Sequence, residues 1–350
     1  MKNFIIPIFI PHFGCIHECI FCNQRKITGV ETPVSPLQIA QLIESQLAGI
    51  TKPRNIEVAF YGGSFTALSV KMQQSLLMPA YRLLQTGKIH AIRLSTRPDC
   101  VNDEIVNFLY SLGVTTIELG VQSLDDNVLK TACRGHTRQD VFKAVTAVRK
   151  RPIQCGLQLM PGLPGEDYWS LISTAEEARQ LTPDFIRIYP TLVIAHTKLA
   201  ELYLQGAYQP LSLDQAIKRT AYIKLLFERS AIKIIRTGLQ ATTDLADTDV
   251  VLAGPYHPAF GELVDSYLFW VMITQFFDHW PHHNLEVVIH HHPKDTSKIH
   301  GNKNNNLHKW HQQYSFRDIT LIPDGSTPGE VVISYHGQQY TLNKFMLEHV

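Results

Sequence analysis

Cys15–Cys22 reads CIHECIFC and lies in a predicted loop after the apolar run Phe4–Phe9. Three residues and then two residues separate its cysteines. Thiolates hold iron–sulfur clusters, and a four-iron cluster bound by three thiolates keeps one iron open to a small molecule. On spacing alone two other interpretations remain, chance crowding and a zinc site that adds His17, although zinc sites usually pair CxxC units or add a later Cys/His pair.

The run Phe4–Phe9 is the first of six predicted strands, which alternate with helical patterns. This alternation indicates parallel strands joined by crossover helices. The predicted strands are Phe4–Phe9, Ile56–Tyr61, Ile89–Thr96, Thr115–Gly120, Ile153–Met160 and Phe185–Pro190. The predicted helices are Pro36–Ala48, Ser69–Gln85, Asn102–Leu112, Gln139–Lys150 and Glu166–Leu181. We therefore expect an α/β fold, a partial (β/α)6 barrel of the TIM type, with its sites just after the strands.

The pattern changes after residue 190. A helix is predicted over Leu213–Ser230, followed by a linker-like stretch, Thr237–Asp249, rich in Thr and Asp. One helix and four short strands then form a small α+β extension: Glu262–Asp278, Leu285–His290, Asp318–Ile322, Val331–Tyr335 and Gln339–Leu342. Asn302–Asn306 is predicted to be a loop tip. The predicted domains are the partial barrel, residues 1–245, and the C-terminal extension, residues 246–350.

Composition excludes several classes of protein. The 350 residues carry 32 basic and 31 acidic side chains, a net charge of +1, which argues against a general coat for polyanions. The longest nearly unbroken apolar stretch, Tyr267–Phe277, is shorter than the roughly 20 residues of a membrane helix, and the N-terminus shows no cleavable signal. We expect a soluble, cytoplasmic protein with no membrane partner, in which clustered thiols indicate a metal or cluster site.

Histidine is concentrated in the predicted extension. Neighbouring histidines occur there at His282, His283 and His290–His292. In a strand, neighbouring side chains point to opposite faces, and no carboxylate spacing completes a metal site here. A structural role is therefore favoured for these side chains.

Six further segments, together with the cysteine loop and its aromatic Phe21, resemble a known family. They are Phe60–Leu68 (FYGGSFTAL), Ser95–Asp99 (STRPD), Ile117–Ser123 (IELGVQS), Arg134–Thr137 (RGHT), Leu159–Gly165 (LMPGLPG) and Ile188–Thr191 (IYPT). The cysteine loop resembles that of the radical S-adenosylmethionine superfamily. In their order the other segments resemble the radical domain of the elongator catalytic subunit family, over residues 4 to about 240.

The resemblance implies two cofactors, a 4Fe-4S cluster and S-adenosylmethionine. Cys15, Cys19 and Cys22 would hold the cluster, whose open iron would bind the amino and carboxylate groups of S-adenosylmethionine. The strand-end residues Gly62 and Gly63 would receive the methionine amino group, since absent side chains let backbone approach a ligand closely. Further contacts are implied at Ser64, where the wider superfamily usually has Glu, and at Ser95, Gln122, Arg134 and Gln158.

The implied contacts differ in kind. Ser95, Gln122 and Gln158 match positions that contact the ribose, although Ser95 replaces a residue that is often acidic. Arg134 matches a basic residue that pairs with the ligand carboxylate, a planar partner that suits a guanidinium. Alternation along the fifth strand predicts that Gln154, Gly156 and Met160 share the face of Gln158, while Cys155 faces the helices. No catalytic residue is assigned on the substrate.

Other charged and aromatic residues of the motifs have less definite roles. Glu118 and Arg97 are charges in the barrel that are costly to bury unpaired, so we expect each either to pair with a charged group or to meet a ligand. Tyr189 and His136 could reach a substrate pocket, although a satisfied core position is favoured for both.

The resemblance also implies a function: an enzyme that cleaves S-adenosylmethionine to a 5′-deoxyadenosyl radical, with transfer RNA as the natural substrate. A reductant of the flavodoxin or ferredoxin type would be its protein partner. Two alternatives remain. One is a small-molecule radical enzyme of the oxygen-independent coproporphyrinogen oxidase type. The other is a non-enzymatic accessory protein that binds an iron–sulfur cluster or S-adenosylmethionine. The substrate atom attacked and the oligomeric state are not predicted.

Overall fold

The computed structural model describes residues 3–10, 12–15, 17–23, 34–50, 55–239, 249–279, 286–325, 327–335 and 337–347. Its residues divide into two compact units. The first comprises Met1–Leu211 and Ile232–Tyr256, and the second comprises Ser212–Ala231 and His257–Val350. The predicted domain boundary between residues 245 and 246 lies outside the described residues.

A curled parallel sheet of seven strands forms the first unit. Its strands, in spatial order, are β1 (Asn3–Phe9), β2 (Asn55–Tyr61), β3 (Ala91–Thr96), β4 (Val114–Gln122), β5 (Gln154–Leu159), β6 (Phe185–Ile188) and β8 (Lys233–Thr237). Every neighbouring pair is parallel. The predicted α/β fold class and partial barrel are therefore confirmed.

Helices connect these strands. Those described in the first unit are α1 (Pro36–Ala48), α2 (Val70–Gln85), α3 (Asp103–Ser111), α4 (Asp126–Thr131), α5 (Arg138–Arg149), α6 (Tyr168–Gln180) and α7 (Lys198–Leu204). Local sequence explains their starts: α1 begins at a capping box of Ser35 and Gln38 with a proline at its first position, and α5 begins at a second box of Thr137 and Asp140.

The seventh strand, β8, was not predicted, because its sequence KIIRT is short and shows no buried alternation. None of its five residues is fully buried, and Ile235 is exposed. Its pairing with β6 places it at the edge of the sheet. The short strands β7 (Val193–Ile194) and β9 (Val251–Ala253) form a separate antiparallel pair in the same unit.

The sheet has one apolar face and one polar face. Ile6, Val58, Ile92, Ile117 and Leu157 belong to the apolar face, and at most 1% of each is exposed. The opposite face, here called the inner face, carries Glu57, Arg93, Glu118, Phe185 and Arg187, which ion pairs and ring contacts join to one another.

Gly156 governs the packing of the inner face. In the register of the sheet it lies between Glu118 of β4 and Phe185 of β6. A Cβ on Gly156 would come within 2.1 Å of the Phe185 ring. The ring therefore lies over the bare backbone of β5, where the Arg93 guanidinium also faces it, 5.0 Å from its centroid.

The second unit combines helices with a four-stranded sheet, which is the predicted α+β composition. Its helices are α8 (Leu213–Arg229), α9 (Phe260–Asp278), α10 (Thr296–His300) and α11 (Asn305–Gln313). Its sheet has the order β11 (Asp318–Pro323), β10 (Glu286–His291), β12 (Glu330–Tyr335) and β13 (Gln338–Asn343). Only the β10–β11 pair is parallel. Within the described residues no helix has both the length and the apolarity to cross a membrane.

The predicted loop tip at Asn302–Asn306 is wrong in part. Asn302–Asn304 is a 3-10 helix, and α11 begins at Asn305. Asn306 is buried, and its side-chain amide donates to the backbone and the hydroxyl oxygen of Ser266. Asn302–Asn305 are exposed, so solvent accounts for their polarity, while the polarity of Asn306 serves hydrogen bonds inside the unit.

The packing around Gly156 generates a prediction. Gly156→Ala should lower the free energy of unfolding by about 1–3 kcal/mol, the usual cost of overpacking, because the Phe185 ring must leave its place. Urea unfolding measures this cost. Gly49→Ala is the matched control, since a Cβ there meets only a carbonyl oxygen at 3.6 Å. Equal stabilities of the two variants would contradict the packing described here.

Candidate cofactor site

The cysteine loop packs against the turn that follows β2. His12 N–H donates to Gly62 O at 3.0 Å, and Ser64 N–H donates to Phe13 O at 2.9 Å. A Cβ on Gly63 would lie only 2.4 Å from Phe13 O. The close approach of the loop backbone therefore requires a glycine at position 63. This contact holds the cysteine loop at the carboxyl edge of the sheet.

Cys15, Cys19 and Cys22 lie in tight turns of this loop. Cys15 N–H donates to His12 O, and Cys22 N–H donates to Cys19 O, each at 3.0 Å. Much of Cys15 is exposed, yet partial burial of its thiol raises its pKa, as does the nearby Cys19, while Arg97 and Arg134 oppose the change. Among the described residues no three His, Cys, Asp or Glu side chains form a group suited to a single metal ion.

Arg134 connects the cysteine loop to the end of β4. Its guanidinium donates to Cys19 Sγ at 2.9 Å and to Gly120 O at 2.6 Å. It also lies over the ring of Phe21, 5.9 Å from the centroid. Only 6% of Arg134 is exposed, so a buried cation faces the thiol at the strand end.

Gly135 makes room for the loop on its other side. A Cβ there would lie 2.3 Å from the His17 ring. Gly135 also has φ +73°, a conformation that L side chains rarely adopt. The segment Arg134–Thr137 therefore packs closely against the cysteine loop.

His136 of this segment is a buried neutral side chain. Its Nε2 lies 3.1 Å from Val121 O, which requires Nε2–H as the donor. Burial, followed by the charges of Arg134 and Arg97, lowers the pKa of His136 to about 3. The favoured core interpretation fits this burial, although Nδ1 has no partner within the described residues.

The two predicted glutamines meet at the strand ends. Gln158 Nε2 donates to Gln122 Oε1 at 3.2 Å. Gln122 has φ +70° and occupies an irregularity in the β4–β5 pairing, where Met160 N–H donates to its carbonyl. Such strained backbone is concentrated at functional sites. A Cβ on Gly120 would lie 3.2 Å from Gln122 Nε2 and 3.3 Å from the Arg134 guanidinium, so these two predicted residues converge there.

The two predicted serines have different surroundings. Ser64 is fully buried, and its hydroxyl contacts Thr96 Oγ1 at 3.3 Å and accepts from Arg97 N–H at 3.4 Å. Ser95 is partly exposed, and its position in β3 is that of the inner face, opposite Glu118. The hydroxyl of Ser64 thus supports the strand ends, and a cofactor contact at either serine stays a prediction.

The charges predicted to need partners have them. Arg97 donates to both carboxylate oxygens of Asp99, at 3.0 and 3.1 Å. Glu118 binds Arg93 at 2.6 Å and Arg187 at 2.7 Å, so it pairs with other groups and not with Arg97. The sequence analysis missed Arg93 and Arg187, although strand alternation would have placed both on the polar face.

Two described histidines of the extension have defined surroundings, and the structural role favoured for the histidine cluster stays a prediction. His290 Nδ1 lies 2.7 Å from Asp324 Oδ2. His291 is fully buried in β10. His282 and His283 lie outside the described residues.

Comparison with known proteins identifies the family. The sequence matches the model of the Radical SAM superfamily over residues 9–178 and that of the Radical_SAM C-terminal domain over residues 183–269. The chain belongs to the radical S-adenosylmethionine superfamily. This is a superfamily of enzymes whose cofactors are a 4Fe-4S cluster and S-adenosylmethionine.

Several individual proteins are similar to this superfamily member. The tRNA uridine(34) acetyltransferase of Methanocaldococcus jannaschii is 31% identical over 253 residues, 66% of this chain and 46% of the relative. The heme chaperone HemW of Lactococcus lactis is 25% identical over 210 residues, 60% of this chain and 55% of the relative. The chain spans about half the length of these curated relatives.

A solved structure has a similar fold. The Elp3 structure from Methanocaldococcus infernus, with an N-terminal deletion, superposes with a TM-score of 0.61 at 26% identity. The match covers 76% of this chain and 62% of that chain. The similarity includes the partial barrel on which the cysteine loop is mounted.

The described residues fit a three-thiolate cluster. Its donors would be thiolates, the ligands of iron–sulfur clusters. Arg134 already places a buried cation 2.9 Å from Cys19 Sγ. Gly63 and Gly135 have no side chains, and this leaves the space that the cysteine loop occupies. The assignment of Cys15, Cys19 and Cys22 as ligands stays a prediction.

Two glycines of the same conformation provide a test of this packing. Gly135→Ala should reduce the iron retained after anaerobic reconstitution, because the new Cβ displaces His17 inside the cysteine loop. Gly87→Ala is the control: φ is +70°, but no atom lies within 4 Å of the new Cβ. Both variants should lose about 1–2 kcal/mol of stability from backbone strain. Equal iron content in the two variants would show that the Gly135–His17 contact does not support the loop.

The neutral His136 predicts an acid-sensitive stability. With a pKa of about 3 in the folded state and about 6.5 in the unfolded state, the histidine binds a proton only on unfolding between these values. Stability should therefore fall with falling pH, by up to about 1.4 kcal/mol per unit from this residue. His136→Gln should show a shallower decline between pH 6 and pH 5 in urea titrations. Parallel declines of variant and wild type would contradict the assignment.

Proposed function

We propose that this chain binds a 4Fe-4S cluster through Cys15, Cys19 and Cys22 and cleaves S-adenosylmethionine. The observation that carries the proposal is the packing of the cysteine loop against Gly62–Ser64. This packing brings the three thiols to the carboxyl edge of a parallel sheet. Ligand sites of parallel α/β folds are built at that edge. When bound and reduced, the cluster would supply the electron that breaks the sulfonium bond and gives the 5′-deoxyadenosyl radical.

The protein's own residues would bind and orient the cofactor. Gly62 and Gly63 present backbone without side chains beside the thiols. Gln122 and Gln158 offer amide groups for ribose hydroxyls, since their mutual hydrogen bond leaves other donors and acceptors on both amides. Arg134 would neutralise the thiolate of Cys19 and lie within reach of a carboxylate. Ser95 would extend this set from β3.

We propose transfer RNA as the substrate. The support is the relative from Methanocaldococcus jannaschii, which is named as a tRNA uridine(34) acetyltransferase and matches two thirds of this chain. A protein reductant of the flavodoxin or ferredoxin type would supply the electron. The similarity to a heme chaperone favours a second candidate, an accessory protein that binds haem with the same barrel.

Cluster loading and cleavage are tested together. Reconstituted, reduced protein should convert S-adenosylmethionine to 5′-deoxyadenosine under anaerobic conditions, and Cys19→Ala should abolish both the cluster and this product. Circular dichroism of Cys19→Ala should match the wild type, because the loop lies outside the strands. Cys155→Ala is the matched control, since this buried cysteine is outside the motif and should retain both cluster and product.

Two additions to this assay separate the candidate functions. Bulk transfer RNA should stimulate 5′-deoxyadenosine formation, and added mass should appear in nucleosides from the digested RNA. Tight haem binding without any 5′-deoxyadenosine would instead support the accessory function. A wild type that holds four irons per chain, the complement of one cluster, and yet forms no product with RNA present would overturn the proposed activity.

A further inference from the structure

Arg187 holds two tyrosine hydroxyls on the inner face. Its guanidinium donates to Tyr189 OH at 2.9 Å and to Tyr61 OH at 3.2 Å. The same guanidinium binds Glu118 through two of its nitrogens, at 2.7 and 3.0 Å. Both phenol oxygens therefore lie next to the same guanidinium, and its size limits the distance between them.

The bonding leaves both phenolic hydrogens available. A guanidinium can only donate, so each phenol oxygen acts as an acceptor toward Arg187. Among the residues that the structure describes, no acceptor meets the hydroxyl hydrogen of Tyr61 or Tyr189. Both residues are partly exposed. Two O–H donors therefore remain for a bound molecule.

The surrounding charge excludes an anion as that molecule. Arg93 binds Glu57 and Glu118, and Arg187 binds Glu118, so two cations are matched by two carboxylates. Burial and the charge of Glu118 raise the pKa of Tyr61 above its ordinary value, so its phenol stays protonated at neutral pH. A free phosphate or carboxylate would find no unpaired positive charge on these side chains.

The two hydroxyls also lie at the edge where the cofactor is proposed to bind. Tyr61 ends β2 and directly precedes Gly62 and Gly63. Tyr189 directly follows β6. The Phe9 ring lies 6.4 Å from that of Tyr61 and adds an aromatic wall. A molecule held here would be next to S-adenosylmethionine.

We infer that Tyr61 and Tyr189 are paired hydrogen-bond donors for a neutral carbonyl oxygen of the substrate. This inference rests on the proposed function, which places a substrate beside S-adenosylmethionine. A similar protein is named as a tRNA uridine(34) acetyltransferase. Two neutral carbonyl groups fit that name: the carbonyl of a pyrimidine base and the carbonyl of an acyl thioester. Two donors on one oxygen fix its orientation and stabilise charge that develops on it.

The test measures binding and does not need turnover. Isothermal titration of cluster-loaded, unreduced protein with S-adenosylmethionine present uses uridine in one arm and acetyl-coenzyme A in the other. Tyr61→Phe and Tyr189→Phe should each raise the dissociation constant of the probe that binds by about tenfold, the effect of one lost hydrogen bond. The probe whose dissociation constant rises in the variants, uridine or acetyl-coenzyme A, carries the carbonyl that the tyrosines bind.

A matched control separates this effect from general damage. Tyr110→Phe removes the hydroxyl of an exposed tyrosine whose ring also faces an arginine, Arg151 at 5.7 Å, and should leave the dissociation constant unchanged. Unchanged affinity in both single variants, or no binding of either probe by the wild type, would overturn the inference. Formation of 5′-deoxyadenosine should persist in Tyr110→Phe. Its absence from the wild type would count against the proposed function alone, because the same titration can be run on protein without cluster.

Discussion

The buried carboxylate of Glu118 is the group on which the inner face depends. A carboxylate taken out of water must be paired, and only 4% of Glu118 is exposed. Arg93 of β3 binds it from one side, and Arg187 of β6 reaches it across β5. Gly156 of β5 lies between Glu118 and Phe185, and its bare backbone leaves room for the Phe185 ring. One charge therefore ties three strands together and sets where the strand ends lie.

The cysteine loop depends on the same strand ends. Arg134 joins Cys19 to the backbone of Gly120, two residues beyond Glu118 on β4. The strained backbone of Gln122 turns the chain at that point, and Gln158 of β5 holds its amide. Ile20 and Phe21 of the loop are also buried in a hydrophobic cluster with side chains of α4 and α7, so this packing holds the loop together with the sheet. A displacement of β4 would move the thiols and the predicted ribose contacts together.

Much of this architecture could be predicted from the sequence because its signals are local. Helix α1 begins and ends as predicted, since Ser35, Pro36 and Gln38 specify its start. The strand β8 was missed because an edge strand need not alternate. The network around Arg187 was missed for another reason: its contact with Glu118 depends on the register of three strands, which is not a property of a short motif.

Protonation states explain how a neutral site can be built from so many ionisable groups. Burial keeps His136 neutral, with a pKa of about 3, and burial also raises the pKa of Tyr61, so that its phenol remains a donor. Arg93 and Arg187 keep their charge because carboxylates face them. Neither His136 nor Tyr61 exchanges a proton between pH 6 and pH 8. The polar face is therefore a fixed arrangement of donors and acceptors, which suits chemistry in which an electron and a hydrogen atom move and the protein's protons stay in place.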